Sequence, residues 1–120
     1  MDSVVVVKPE RLRDFVARLL QALGLPESDA ESVAEVLVEA DLRGVESHGT
    51  TRVAGYVSMV RSGLLNPTPR VTVLKDAPSL AMLDGDGGFG IVVARRAMAM
   101  AMDKARAAGI ACVTARNMTH

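Results

Sequence analysis

The sequence predicts an α/β protein in which an N-terminal helical layer precedes the first strand–helix–strand part of a mixed sheet. Three observations carry that expectation. Apolar residues in the first half recur at helical spacing, two closely spaced prolines (Pro67 and Pro69) interrupt the pattern, and beyond them short β-prone runs flank one long Ala- and Met-rich segment.

The first helix is expected over residues 8–23. Pro9 suits a first helical turn, Leu12, Phe15, Val16, Leu19, Leu20 and Leu23 repeat at i, i+3, i+4 and i+7, and Gly24 stops the helix. A second opens with Ser28-Asp29-Ala30-Glu31, a Ser-x-x-Glu box in which each side chain answers the other's backbone N–H. It runs through Val33, Leu37 and Ala40 to Gly44. A third is expected from Ser47 as N-cap to Gly63, with Val53, Val57 and Val60 as its buried stripe. The prolines of Leu65-Asn66-Pro67-Thr68-Pro69 then favour an extended connector. The internal boundary is placed there, with residues 1–65 as a helical segment and residues 66–120 as the start of an α/β domain. In the second part, residues 71–74 and 79–83 read as strands, 88–108 as a helix ended by Gly109, and 110–115 as another strand. Strand, helix and strand suggest a parallel crossover. Two or three strands do not make a comfortable sheet, so the domain reads as incomplete.

Composition narrows the function. The 120 residues are 49% apolar, enough for a real core, and fourteen basic residues balance fourteen acidic ones. With that balance and only one Tyr and two Phe to stack on bases, nucleic-acid binding is not expected. The single cysteine, Cys112, offers neither an intrachain disulfide nor a metal cluster. Met1-Asp2-Ser3 before Val4-Val5-Val6-Val7 puts an acid where an export leader has a base. Arg95-Arg96 and Asp103-Lys104 break the most apolar stretch, which falls short of the roughly 18 residues of a membrane span. A soluble, cytoplasmic protein without a metal is the expectation.

Two motifs carry chemistry. Gly85-Asp86-Gly87-Gly88-Phe89-Gly90 satisfies G-x-G-x-x-G between an expected strand and helix, where backbone N–H groups could cradle a pyrophosphate. The alternative is a tight turn that uses positive φ angles to reverse the chain into the helix. The favoured reading is the turn, because Arg116-Asn117 stands where an acid should meet the ribose. The second motif runs from Asp41 through Ser47-His48-Gly49 to Arg52 and Tyr56. On a continuous helix, His48, Arg52 and Tyr56 drift by about 40° at each step of four, forming one polar ridge. Arg grips a carboxylate through two parallel hydrogen bonds, and His exchanges a proton with a neighbouring oxygen or nitrogen. Ser47 either caps the helix or bonds to the imidazole.

Taken whole, Asp41-x-Arg43-Gly44-Val45-x-Ser47-His48-Gly49-x-x-Arg52-x-x-x-Tyr56 resembles the start of the type-2 malate/L-lactate dehydrogenase family, which includes sulfolactate and ureidoglycolate dehydrogenases and Δ1-piperideine-2-carboxylate reductase. Further matches are Gly63 with Asn66-Pro67, Asp84-Gly85-Asp86 with Gly90, residues 97–105, and Gly109-Ile110-Ala111-Cys112-Val113 followed by Arg116-Asn117 and His120. The resemblance implies a non-Rossmann fold, a much longer whole enzyme of which these residues are the N-terminal third, and a homodimer. It implies an oxidoreductase that uses NAD or NADP on a small 2-oxo acid, 2-hydroxy acid or cyclic imino acid. By resemblance, His48 is the proton donor, Ser47 orients it, Arg52 holds the carboxylate and Tyr56 lines the pocket, with His120 a second candidate for the proton. No cofactor-binding residue is assigned within the chain. Two other readings remain: a non-catalytic dimerising α/β module, whose Met98, Met100 and Met102 read as core filling rather than an interface, and a Rossmann-type fragment using residues 85–90.

Overall fold

The computed structural model describes residues 3–119. Met1 and Asp2, part of the leader reading, and His120, the second candidate proton donor, lie outside the described residues. The chain divides into two compact units, Met1–Ser58 and Met59–His120.

The first unit is built on α1 (Pro9–Ala22) and α2 (Glu27–Leu42), which pack on each other. Val16, Ala17 and Leu20 of α1 and Ala30, Val33, Ala34, Leu37 and Val38 of α2 are buried. Burying each Val or Leu among them contributes about 1.5–3 kcal/mol. Phe15, expected in the apolar stripe, is instead 58% exposed, because Val16 and Ala17 supply the inward face at that level. The Ser-x-x-Glu box does not form. Pro26, with ψ at 147°, is the N-cap, so Ser28 already lies within the helix, and Glu27 and Asp29 place acids in the positively polarised first turn instead.

Helices α1, α2 and α3 (Val53–Arg61) end by one device. Gly24, Gly44 and Gly63 take φ of 104°, 75° and 76°, and the next residue's N–H returns to a carbonyl five positions back. The bonds are Leu25 to Leu20 (3.2 Å), Val45 to Ala40 (2.8 Å) and Leu64 to Met59 (2.9 Å). The third helix does not begin at Ser47. Residues Glu46–His48 and Thr50–Arg52 form separate 3₁₀ turns, and Ser47 makes no cap bond. The expected valine stripe of Val53, Val57 and Val60 is only half-buried, whereas Tyr56 is 7% exposed.

In the second unit, β1 (Thr72–Asp76) pairs antiparallel with β2 (Leu80–Gly88), which pairs parallel with β3 (Cys112–Met118) after the crossover helix α4 (Gly90–Ala108). The sheet is mixed, in the order β1-β2-β3. Ala81 and Leu83 alternate inward along β2 and are buried, as are Phe89 and Val92, Val93 and Ala97 of α4. Lys104 of α4 ties the β1–β2 hairpin through the Asp76 carboxylate and the Ala77 carbonyl. Met98 and Met102 are 60% and 49% exposed, so they do not fill the core; Val92, Val93 and Ala97 occupy the inward face of α4. Among the described residues, no helix is long and apolar enough to cross a membrane.

Candidate functional site

The polar string between α2 and α3 folds as two short turns hinged at Gly49. The N–H groups of His48 and Gly49 return to the carbonyls of Val45 (3.0 Å) and Glu46 (3.1 Å), closing the first turn. The Arg52 N–H returns to Gly49 (3.1 Å), closing the second, and the Thr51 hydroxyl bonds to the Glu46 carbonyl (2.7 Å) across the pair. Gly49 itself is extended, with φ −94° and ψ −154°, which breaks the helical path between Ser47 and Val53.

Asp41, in the last turn of α2, fixes this break. Its Oδ2 accepts the Thr50 N–H at 3.0 Å and the Thr50 hydroxyl at 2.6 Å. Asp41 thus takes the capping part expected of Ser47. The Ser47 hydroxyl lies 2.9 Å from Nδ1 of His48 instead, on an exposed turn. Of the two options open for Ser47, the structure takes the imidazole bond.

The ridge of His48, Arg52 and Tyr56 on one continuous helix is therefore not found, since the helix begins only at Val53. His48 is exposed, Arg52 is half-buried and Tyr56 is buried. Burial pushes the Tyr56 phenol above its ordinary value, and the nearby Arg52 cation offsets part of that rise. Tyr56 is accordingly a neutral phenol near neutral pH. Sequence reasoning missed Thr50 and gave Asp41 no part beyond opening the motif. The signal was present in the short hydroxyl residue directly after Gly49.

The Gly85–Gly90 segment has another form. It is neither a dinucleotide loop nor a free turn, because β2 runs through it to Gly88, which stays paired with Met118 across a bulge after Asp84. Asp86 and Gly87, with φ of 52° and 68°, make the bulge. Its polar groups serve one another. Asp84 accepts the Asp86 N–H (2.9 Å), the Asn117 amide (3.2 Å) and the Arg116 Nε (3.1 Å), and these donors hold its carboxyl below the usual carboxylate range. Asp86 accepts the Arg70 N–H (2.9 Å) and the Asn66 amide (3.1 Å). At the start of α4 the Thr119 N–H bonds to the Gly88 carbonyl (3.0 Å), and a Cβ on Gly90 would overlap the Thr119 carbonyl oxygen. The Thr119 carbonyl thus closes the Cβ side of Gly90 at the start of α4.

The model of the malate/L-lactate dehydrogenase family matches residues 7–120. The chain belongs to that family. It is 47% identical over 119 residues to a malate dehydrogenase of Pyrococcus abyssi, covering 99% of this chain and 33% of the relative. It is 39% identical to an L-sulfolactate dehydrogenase of Methanocaldococcus jannaschii, covering 97% of this chain and 34% of that one. The solved malate dehydrogenase of Pyrococcus horikoshii superposes with a TM-score of 0.94 at 48% identity, over 97% of this chain and 33% of that structure. The chain thus spans about a third of the length of these relatives, and the Rossmann reading of residues 85–90 falls with the bulge.

Proposed function

We propose that the protein is an NAD(P)-dependent oxidoreductase that moves hydride between NAD or NADP and C2 of a small 2-oxo acid, 2-hydroxy acid or cyclic imino acid. The observation that carries this is the Ser47–His48 hydrogen bond on an exposed turn, two residues before the turn that presents Arg52. The family supplies the reaction class, and the relatives named malate and L-sulfolactate dehydrogenase suit a small acid substrate.

In this reading the Ser47 hydroxyl bonds to Nδ1 and sets the imidazole plane, and Nε2 delivers the proton to the oxygen or nitrogen on C2. Arg52 holds the substrate carboxylate with a two-pronged hydrogen bond. Tyr56, a neutral phenol, backs Arg52 and sets the inner wall of the pocket. None of the residues placed here is assigned to the nicotinamide. The proposal extends to residues 1–65 as a helical segment ahead of an α/β domain from residue 66, and to a cytoplasmic homodimer of the full-length enzyme.

The test is NADH and NADPH oxidation by the full-length protein with a panel of 2-oxo acids and cyclic imino acids, repeated for His48→Asn. Turnover of the wild type is expected to fall by roughly 10²–10⁴-fold in the variant, with far less change in KM, as for a lost proton transfer. Wild-type turnover in His48→Asn would move the proton to His120. Failure of the wild type on every such substrate would end the proposal.

A further inference from the structure

Gly49 sits at φ −94°, a backbone conformation open to any residue, so chain geometry does not explain the glycine in Ser47-His48-Gly49. Space does. A Cβ at this position would overlap Oδ1 of Asp41 and crowd its carboxylate carbon, and Gly49 is buried. The other oxygen, Oδ2, accepts both donors of Thr50. One carboxylate is therefore seated between the bare Cα of Gly49 and the head of the next turn. His48 directly precedes this seat and Arg52 ends the turn that begins at Thr50.

We propose that Asp41 is a positioning residue whose carboxylate, seated on Gly49 and bonded to Thr50, fixes the 46–52 turns and with them the separation of the His48 imidazole from the Arg52 guanidinium. It acts through the backbone, not as a charge partner of His48. The one carboxylate does two things there. It replaces the helix that would otherwise run on through residues 47–53, and it locks the break that puts His48 and Arg52 on different turns. Truncation of Asp41 and the addition of a methyl at Gly49 are then the same injury, since each takes the carboxylate out of the seat.

The activity consequences rest on the reading above, but the seat itself can be read without any substrate. In the full-length protein, hydrogen exchange at the Thr50 amide and steady-state kinetics are measured for Asp41→Ala, Gly49→Ala and the double variant. Both single variants are expected to speed Thr50 exchange and to lower kcat/KM by roughly 10²-fold, the scale of a misplaced reacting group, with the midpoint of the pH profile unmoved. The double variant should be no worse than either single one. Thr50→Ser, which keeps both bonds, and Asp41→Asn, which keeps an acceptor oxygen, should retain most of the activity. If Asp41→Ala does not fold, Thr50→Val reports on the same seat by losing only the hydroxyl bond, with a several-fold loss expected. Unchanged Thr50 exchange in the variants, losses that multiply in the double variant, or a shifted acid limb of the pH profile in Asp41→Asn would each overturn the assignment. Absence of turnover in the wild type would sink the oxidoreductase reading alone and leave the exchange result to decide the seat.

Discussion

The turns at residues 46–52 and the bulge at residues 84–88 are both short, glycine-bearing and dense in polar side chains, yet they differ in where those side chains point. In the bulge, Asp84, Asp86, Asn66, Arg116 and Asn117 bond to one another and to local backbone, and the glycines serve a positive φ and a close approach of the chain. In the turns, one acid, Asp41, is drawn inward to hold the backbone, and Ser47 and His48 are left on the surface with their polar atoms paired to each other. A glycine-rich pattern therefore marks a close backbone packing in one case and a presented side chain in the other. What separates them is whether the neighbouring polar groups satisfy the loop or face away from it.

The contrast breaks most readily at Arg52. Lysine keeps the charge but loses the planar fork, so Arg52→Lys should weaken kcat/KM for a 2-oxo acid by about 1.5–3 kcal/mol, the worth of a hydrogen bond to a charged group, with cofactor affinity unchanged. Steady-state kinetics against both substrates check it, and an unaffected kcat/KM would assign Arg52 to ordinary surface packing. The reverse experiment belongs to the bulge. Gly90→Ala drives a methyl into the Thr119 carbonyl and should cost about 1–3 kcal/mol of stability by denaturant unfolding, as overpacking does. Its signature is a loss of stability without a change in the pH dependence of turnover. A silent Gly90→Ala would mean that the Thr119 carbonyl does not press on Gly90.

The smallest effect comes from Tyr56. Its phenol is raised above 10.0 in the fold, so the unfolded chain releases that proton first as pH climbs. The folded state then binds more protons than the unfolded one. The contribution is fully present below about pH 10 and is lost as pH rises through the raised value. Thermal unfolding from pH 9 to 11 should show a steeper alkaline decline for wild type than for Tyr56→Phe. Parallel curves would show that burial of this phenol has no hold on the stability of the first unit.

Much of the architecture was legible because it is periodic. The apolar stripes of α1 and α2, their glycine stops and the β2–α4–β3 crossover all repeat a local rule that the chain obeys. The errors fall where a group distant in sequence overrides that rule. Residues 47–63 read as one helix by local preference, and the interruption comes from Asp41, nine residues before Thr50. The glycine motif matched a strand-to-helix loop on spacing alone, and only the pairing of Gly88 with Met118 shows the strand continuing through it. Met98 and Met102 looked like core because methionine is apolar, but α4 turns Val92, Val93 and Ala97 inward. In the site, Ser47 beside His48 was legible from adjacency. The buried state of Tyr56 and the seat under Gly49 needed the third dimension.

In the proposed function the 46–52 turns hold a small 2-oxo acid by its carboxylate while His48 protonates it. The most direct measurement is turnover of the full-length enzyme on one 2-oxo acid and on its primary amide, under saturating NADH or NADPH. The acid is expected to be reduced, and the amide to be slower by at least about tenfold in kcat/KM, the least that losing a charge-assisted hydrogen bond would cause. This preference is expected to shrink in Arg52→Lys. Equal rates on acid and amide would contradict this hold on the carboxylate.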